Sequence, residues 1–325
     1  MKFCSPCVPS YSDQMRVLVI FLGIKIRPQA RKTKDMCIVF LSFNDDPSPG
    51  GYKLILAANR DEFYKRPTAP ADFWEQHPNI IGGLDLLSGK EGGTWLGFTK
   101  SGRFGCLTNY RQSLENYASH KDAIGRGFLV SDFLKDDIST SDYLRNIQQN
   151  GSKYNGFNLL VGELCSDSES KIEWYCNCED KQIKTLSSGN YALCNRTLNF
   201  PWPKVVHGQK RFEDILQKSM DKQALLDGLL GLLQENQRYF PGEDDSNYCT
   251  LLDKELDQDY KDACRSIFVQ HNEIGYGTRT HTVILVDEAG HVTYMEKTMD
   301  SDQSDVKPSN RTWTENTFEF DLLTT

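Results

Sequence analysis

From Met36 onward, apolar runs of strand length come in turn-separated pairs, and these pairs alternate with blocks of helical period. This pattern constrains the fold more than any other feature. A hairpin must bury one face, and two sets of hairpins with helices between them do so by packing sheet on sheet with the helices outside. Residues 37–43 and 52–58 flank Asn44-Asp45-Asp46-Pro47-Ser48-Pro49-Gly50-Gly51, a connector of turn formers, and predict a hairpin. Residues 95–99 and 103–108 repeat the pattern around Ser101-Gly102. Ile124, Phe128 and Leu129 predict a helix over 122–134, and Tyr143, Leu144 and Ile147 a second over 140–149. Strands return at 157–164, 172–178 and 191–194, helices at 203–218 and 222–234, and strands at 280–287, 291–297 and 313–322. Acidic, turn-prone residues 242–262 read as a mobile loop or insertion. The expected fold is α+β, a four-layer α-β-β-α sandwich of two antiparallel sheets.

A chain of 325 residues with 38% hydrophobic content can bury a substantial core and reads as a globular protein. The net charge of −8 hides an asymmetry, because residues 1–35 carry seven Lys/Arg against two Asp and leave the remainder more acidic still. Binding of nucleic acid by the acidic body is disfavoured, since phosphate contacts need a basic face. Ten cysteines without a disulfide-framework spacing point to reduced thiols in a cytosol-like compartment. Residues 1–35 read as an appendage and 36–325 as a single domain. The apolar run 17–24 is too short to span a bilayer, and the basic run 27–34 would suit a mitochondrial address or an isoform extension.

Cys37 is the leading candidate for chemistry. Were Met36 trimmed, Cys37 would carry a thiol and a free α-amine together, and the amine can act as base for the thiol. The plainer alternative is a small buried hydrophobe. Arg60, Asp61 and Glu62, after an apolar run, read equally as a surface salt-bridge cluster or turn. Gly92-Gly93 lacks the Lys-Ser of a phosphate loop, and Gly275-Tyr276-Gly277 reads as a turn into a strand. Cys4-Ser5-Pro6-Cys7 is half of a zinc spacing, and His77, His207 and His281 lack partners at metal-site spacing, so no metal is expected. Cys176-Asn177-Cys178 alternates as strand packing would.

Several motifs occur in order: Met36-Cys37-Ile38-Val39-Phe40, Asn59-Arg60-Asp61-Glu62, Gly92-Gly93-Thr94-Trp95-Leu96-Gly97, Leu107-Thr108-Asn109-Tyr110, Tyr154-Asn155-Gly156-Phe157-Asn158-Leu159, Asn195 before Pro201-Trp202, and Gly275-Tyr276-Gly277-Thr278-Arg279-Thr280. Together they resemble the transport and Golgi organisation protein 2 family, whose hallmark is the Asn-Arg-Asp-Glu motif, from residue 36 to about 323. That family is in turn similar to the N-terminal nucleophile hydrolase superfamily, near the cysteine-type choloylglycine and penicillin acylases, which also implies the four-layer fold. Carried over residue by residue, the resemblance implies Cys37 as nucleophile and Asp61 as hydrogen-bond partner of its α-amine. It implies Asn109 and Asn195 as oxyanion donors and Arg279 as the arginine that orients the nucleophile region. The acylases place an arginine three residues before the aspartate, where this chain has Ala58. Arg60 lies beside Asp61 instead, and strand neighbours face opposite ways unless the strand ends or bulges.

The resemblance implies a cytoplasmic protein, with Golgi and mitochondrial association, that affects Golgi organisation, protein secretion and lipid or haem homeostasis. It would work through a pocket for an acyl, lipid or haem ligand, with haem as cargo and no cofactor. The alternative is a cysteine amidohydrolase or thioesterase acting on an acyl amide or acyl thioester.

Overall fold

The structure, a computed structural model, describes residues 36–112, 123–165, 169–219, 221–240, 258–300, 303 and 305–323. The expectations for residues 1–35, Cys4 and Cys7 among them, and for residues 242–257 lie outside the described residues. In chain order the strands are β1 (Ile38–Phe43), β2 (Tyr52–Phe63), β3 (Thr68–Trp74), β4 (His77–Asp85), β5 (Leu96–Thr99), β6 (Arg103–Asn109) and β7 (Phe157–Glu163). They continue as β8 (Lys171–Cys176), β9 (Lys184–Thr185), β10 (Gly189–Leu193), β11 (Gln270–His271), β12 (Tyr276–Asp287), β13 (His291–Met299) and β14 (Trp313–Asp321). The helices are α1 (Phe128–Lys135), α2 (Thr140–Asn150), α3 (Pro203–Lys218), α4 (Lys222–Leu233) and α5 (Gln258–Ala263).

One sheet runs β10-β1-β2-β12-β13-β14 with β11 beside β12, and the other runs β3 to β9 in sequence order. The pairings in both are antiparallel. Side-chain alternation then sorts the core into three. Val39, Leu41, Leu54 and Leu56 meet Phe98, Phe104, Leu160 and Trp174 between the sheets. On the far face of the first sheet, Phe40, Ile55, Ala57 and Leu285 pack against Val205, Phe212 and Leu229 of α3 and α4. On the far face of the second, Leu159 and Val161 pack against Leu129, Phe133 and Leu144 of α1 and α2. The four-layer α-β-β-α sandwich is the observed fold.

Local chemistry places most of the helix ends. Pro203 opens α3 at a position where its missing N–H costs nothing. Ser139 and Asp221 cap α2 and α4 by accepting from Asp142 N and Ala224 N. Four expectations are corrected. The helix placed at 122–134 starts at Phe128, because Gly125 and Gly127 precede it and glycine disfavours helix. Strands β3 and β4 went unread, since Pro70, Pro78, Gly82 and Gly83 mask their alternation. Residues 258–262, assigned to a loop, belong to α5. The turn ends at Gly275, whose φ of 65° suits glycine, and Tyr276 already belongs to β12.

Strand β2 also outruns its expected end at residue 58. It continues through Phe63 because β12 pairs with it from Tyr52 to Phe63. Nearby, Glu296 of β13 is 1% exposed and accepts a hydrogen bond from Ala71 N of β3 at 2.7 Å, tying one sheet to the other. Burial raises its carboxyl from 4.5 to about 7. The folded chain therefore keeps a proton that the unfolded chain releases, so this group's contribution to stability is intact below pH 4.5 and lost as pH rises through about 7. Glu296→Gln keeps an acceptor for Ala71 and carries no charge. Denaturant titrations should show the variant gaining on the wild type between pH 5 and 8, by up to about 3 kcal/mol.

Candidate functional site

The Asn-Arg-Asp-Glu segment lies inside β2, and strand parity divides it. Leu54, Leu56 and Ala58 face the inter-sheet core, while Ile55 and Ala57 face the helices. Arg60 therefore points between the sheets, and Asn59 and Asp61 point to the helix side. Arg60 and Asp61 are 8% and 6% exposed, which overturns the reading of a surface salt-bridge cluster or turn for these two residues.

Asn59 joins the layers. Its Nδ2 donates to Leu233 O at 2.8 Å and Ile267 O at 3.0 Å, which leaves Oδ1 as acceptor for His281 Nδ1 at 2.6 Å. Burial, helped by Lys297, pushes His281 down to about 3, so its ring is neutral and Nδ1 carries the proton. The ring also stacks on Trp313.

Asp61 Oδ1 accepts from Thr278 Oγ1 at 2.6 Å, while Oδ2 is buried without a partner. This contact depends on a bulge in β12: Thr278 pairs with Asp61 and Thr280 with Arg60, leaving Arg279 as the extra residue. Thr278 thereby shares the helix side with Asp61. The sequence left open a strand end or a bulge near Arg60; β2 neither ends nor breaks there, and the extra residue is on its partner. Arg279 Nη1 donates to Phe63 O at 3.1 Å and Arg66 O at 2.5 Å, clasping the turn that leaves β2. Arg66 in turn pairs with Asp85 and Glu62. Burial, then repulsion from Arg60, lowers Arg279 to about 10.

Cys37 sits just before β1. Asp61 N donates to its Sγ at 3.4 Å, and Sγ lies 3.9 Å from Asp61 O. Burial and then the Asp61 charge push the thiol far above its usual range, so it stays protonated while its nitrogen is an amide bonded to Met36. Burial likewise lifts Asp61 from 3.8 to about 7, opposed by Lys204, the Thr278 hydrogen bond and Arg60.

A cavity of about 320 Å³ opens between the two sheets, with Cys37, Arg60, Asp61, Trp95 and Asn109 on its wall. The Arg60 guanidinium lies 3.9 Å over the Trp95 ring, and Leu87 and Ile124 are exposed at the rim. Asn195 stands behind Asn109 rather than on the wall. It is fully buried, its Nδ2 donates to Asn109 O at 2.8 Å and its Oδ1 accepts from Cys194 Sγ at 3.2 Å. One of its two N–H donors is thus used on the backbone that carries Asn109. Gly92-Gly93 leads into Trp95, with Gly93 packed closely on Gly127. Trp95, Thr278, Asn59 and Lys204 were not singled out as site residues. Quoted motifs contained the first three, and no spacing signals Lys204. Among the described residues, no cluster of three or more His, Cys, Asp or Glu is placed to hold a metal, and no helix is long and apolar enough to cross a membrane.

The fold and site define an α-β-β-α sandwich protein with a cysteine-bearing cavity between its sheets. The family profile described as Transport and Golgi organisation 2 matches residues 36–301, and the chain belongs to that family. The Transport and Golgi organization 2 homolog of Mus musculus is 38% identical over 296 residues, which cover 88% of this chain and 99% of the mouse protein. The Transport and Golgi organization protein 2 of Drosophila melanogaster is 32% identical, covering 81% of this chain and 92% of the fly protein. Among solved structures, the Caenorhabditis elegans N-acylethanolamine-hydrolyzing acid amidase ortholog aligns at 10% identity with a TM-score of 0.38, over 78% of this chain and 93% of its own.

In the full chain Cys37 should be a slow thiol. Iodoacetamide labelling at pH 8, followed by peptide mass spectrometry, should modify Cys37 at least about tenfold more slowly in the folded chain than in the chain unfolded by urea, because alkylation needs thiolate.

Proposed function

We propose that the protein works by holding an amphipathic acyl ligand in the cavity over Cys37, and that this binding underlies a cytoplasmic role in Golgi organisation, secretion and lipid homeostasis, with Golgi and mitochondrial association. The cavity itself carries the reading. It sets the apolar surfaces of Trp95, Leu107 and Phe128 beside the buried Arg60 guanidinium, in a volume at the lower end for small-molecule sites. The chain suits an acyl group better than haem. Its wall carries no histidine, methionine or tyrosine among the described residues, and burial holds Cys37 as a thiol, whereas haem iron takes imidazole, thioether, phenolate or thiolate ligands.

A second reading, a cysteine amidohydrolase or thioesterase, is favoured by one observation: Asp61 Oδ2, buried and unpartnered, belongs to the residue whose backbone contacts the Cys37 sulfur. With Cys37 N-terminal, the proton on Sγ would pass to the α-amine as sulfur attacks the acyl carbonyl. The amine or thiol would leave with that proton, and water would then hydrolyse the acyl-cysteine thioester.

Binding of a fluorescent medium-chain fatty acid to the full chain separates the readings. Cys37→Ala should keep affinity within about threefold, while Trp95→Ala and Arg60→Gln should each weaken it about tenfold, or ~1.4 kcal/mol. Full affinity in the last two variants would contradict the binding reading. Acyl-amide or acyl-thioester turnover that disappears in Cys37→Ala would establish the hydrolase.

A further inference from the structure

Lys204, the second residue of α3, is 1% exposed, and its Nζ makes one hydrogen bond, to Ser266 O at 3.3 Å. An ammonium has three donors, and burying one on a single long carbonyl contact is unfavourable unless a counter-charge shares the space. The buried carboxylate on the same side is Asp61, whose Oδ2 makes no direct hydrogen bond to Nζ. The two sit on the same side of the first sheet: the segment that supplies Ser266 O continues to Val269, whose N donates to Thr278 Oγ1 at 2.8 Å, and that hydroxyl donates to Asp61 Oδ1 at 2.6 Å. Met36 packs in the same core cluster as Trp202 and Val205, which flank Lys204 in sequence, and as Cys194 and Cys264. The Cys37 nitrogen, bonded to Met36, thus lies between this packed cluster and the cavity on whose wall Cys37 sits.

We propose that Lys204 is a positioning residue that holds Asp61 as a carboxylate behind Cys37, ready to take the α-amine when Met36 is removed. This rests on the hydrolase reading for its purpose, although the action of Lys204 on Asp61 is tested without it. Lys204 is the strongest of the charges that favour ionised Asp61, ahead of Arg60. The other titratable groups facing Asp61 are the Cys37, Cys194 and Cys264 thiols and the Tyr64 and Tyr276 hydroxyls, each of which its charge pushes up. Lys204 opposes that push at Cys194 and Cys264. A cation on the far side of Asp61 would also disfavour protonation of the α-amine, keeping it available as base for the thiol.

The test uses the full chain with carboxyl-labelled aspartate, followed by carbon NMR against pH and with Asp61 assigned by its loss in Asp61→Asn. Wild type should titrate near 7, Lys204→Arg close to it, and Lys204→Met at least about one unit higher, a tenfold loss of carboxylate. An unmoved midpoint in a folded Lys204→Met overturns the proposal. Should Lys204→Met fail to fold, the double variant Lys204→Met/Asp61→Asn decides: recovery of folding supports the action of Lys204 on Asp61, and a double variant no more stable than Lys204→Met overturns it. A shifted midpoint without any acyl turnover by protein beginning at Cys37 leaves that action established and removes the hydrolase reading alone.

Discussion

The antiparallel pairing of β2 with β12 fixes where Arg60, Asp61 and Arg279 lie. It extends β2 past its apolar stretch, so that four polar residues enter the sheet where a turn would otherwise begin. Burial of charged groups at a strand end is costly, and specific contacts meet part of that cost. Asn59 spends its amide on two helix-side carbonyls and a neutral histidine. Arg60 lies on Trp95, and Asp61 is met by Thr278. A single extra residue in β12, Arg279, makes the last contact geometrically available, because without the bulge Thr278 would face away from Asp61.

The same geometry gives Cys37 two chemical characters. While its nitrogen is an amide, the sulfur is buried next to a carboxylate of the same sign as a thiolate, and both effects hold the proton on sulfur. A freed α-amine would change the balance from the helix side, where Asp61 Oδ2 is unpartnered and Lys204 is buried. The proposed ligand binding and the alternative hydrolysis would therefore draw on one cavity, with the bond between Met36 and Cys37 separating them physically.

The layers were legible because hydrophobic period reports burial directly. The hairpin of β1 and β2, the helices α2, α3 and α4, and the last three strands follow from it. Strands β3 and β4 did not, since proline and glycine interrupt an alternation that the fold completes through pairing with β5. Cys37, Arg60, Asp61 and Asn109, named from the motifs, do border one cavity. What remained hidden was long-range: Thr278 faces Asp61 only through a bulge, Asn195 donates to the Asn109 backbone, and Lys204 comes from a helix start over 140 residues further along. No local pattern encodes those contacts, because each joins segments that meet only when the sheets and helices have assembled.

The account is tested most directly by a crystal structure of the protein beginning at Cys37. It predicts the sulfur still at the cavity wall and the α-nitrogen within about 3 Å of Asp61 Oδ2, on the side that Met36 now fills. An α-nitrogen turned to solvent, with Asp61 Oδ2 bonded elsewhere, would contradict it.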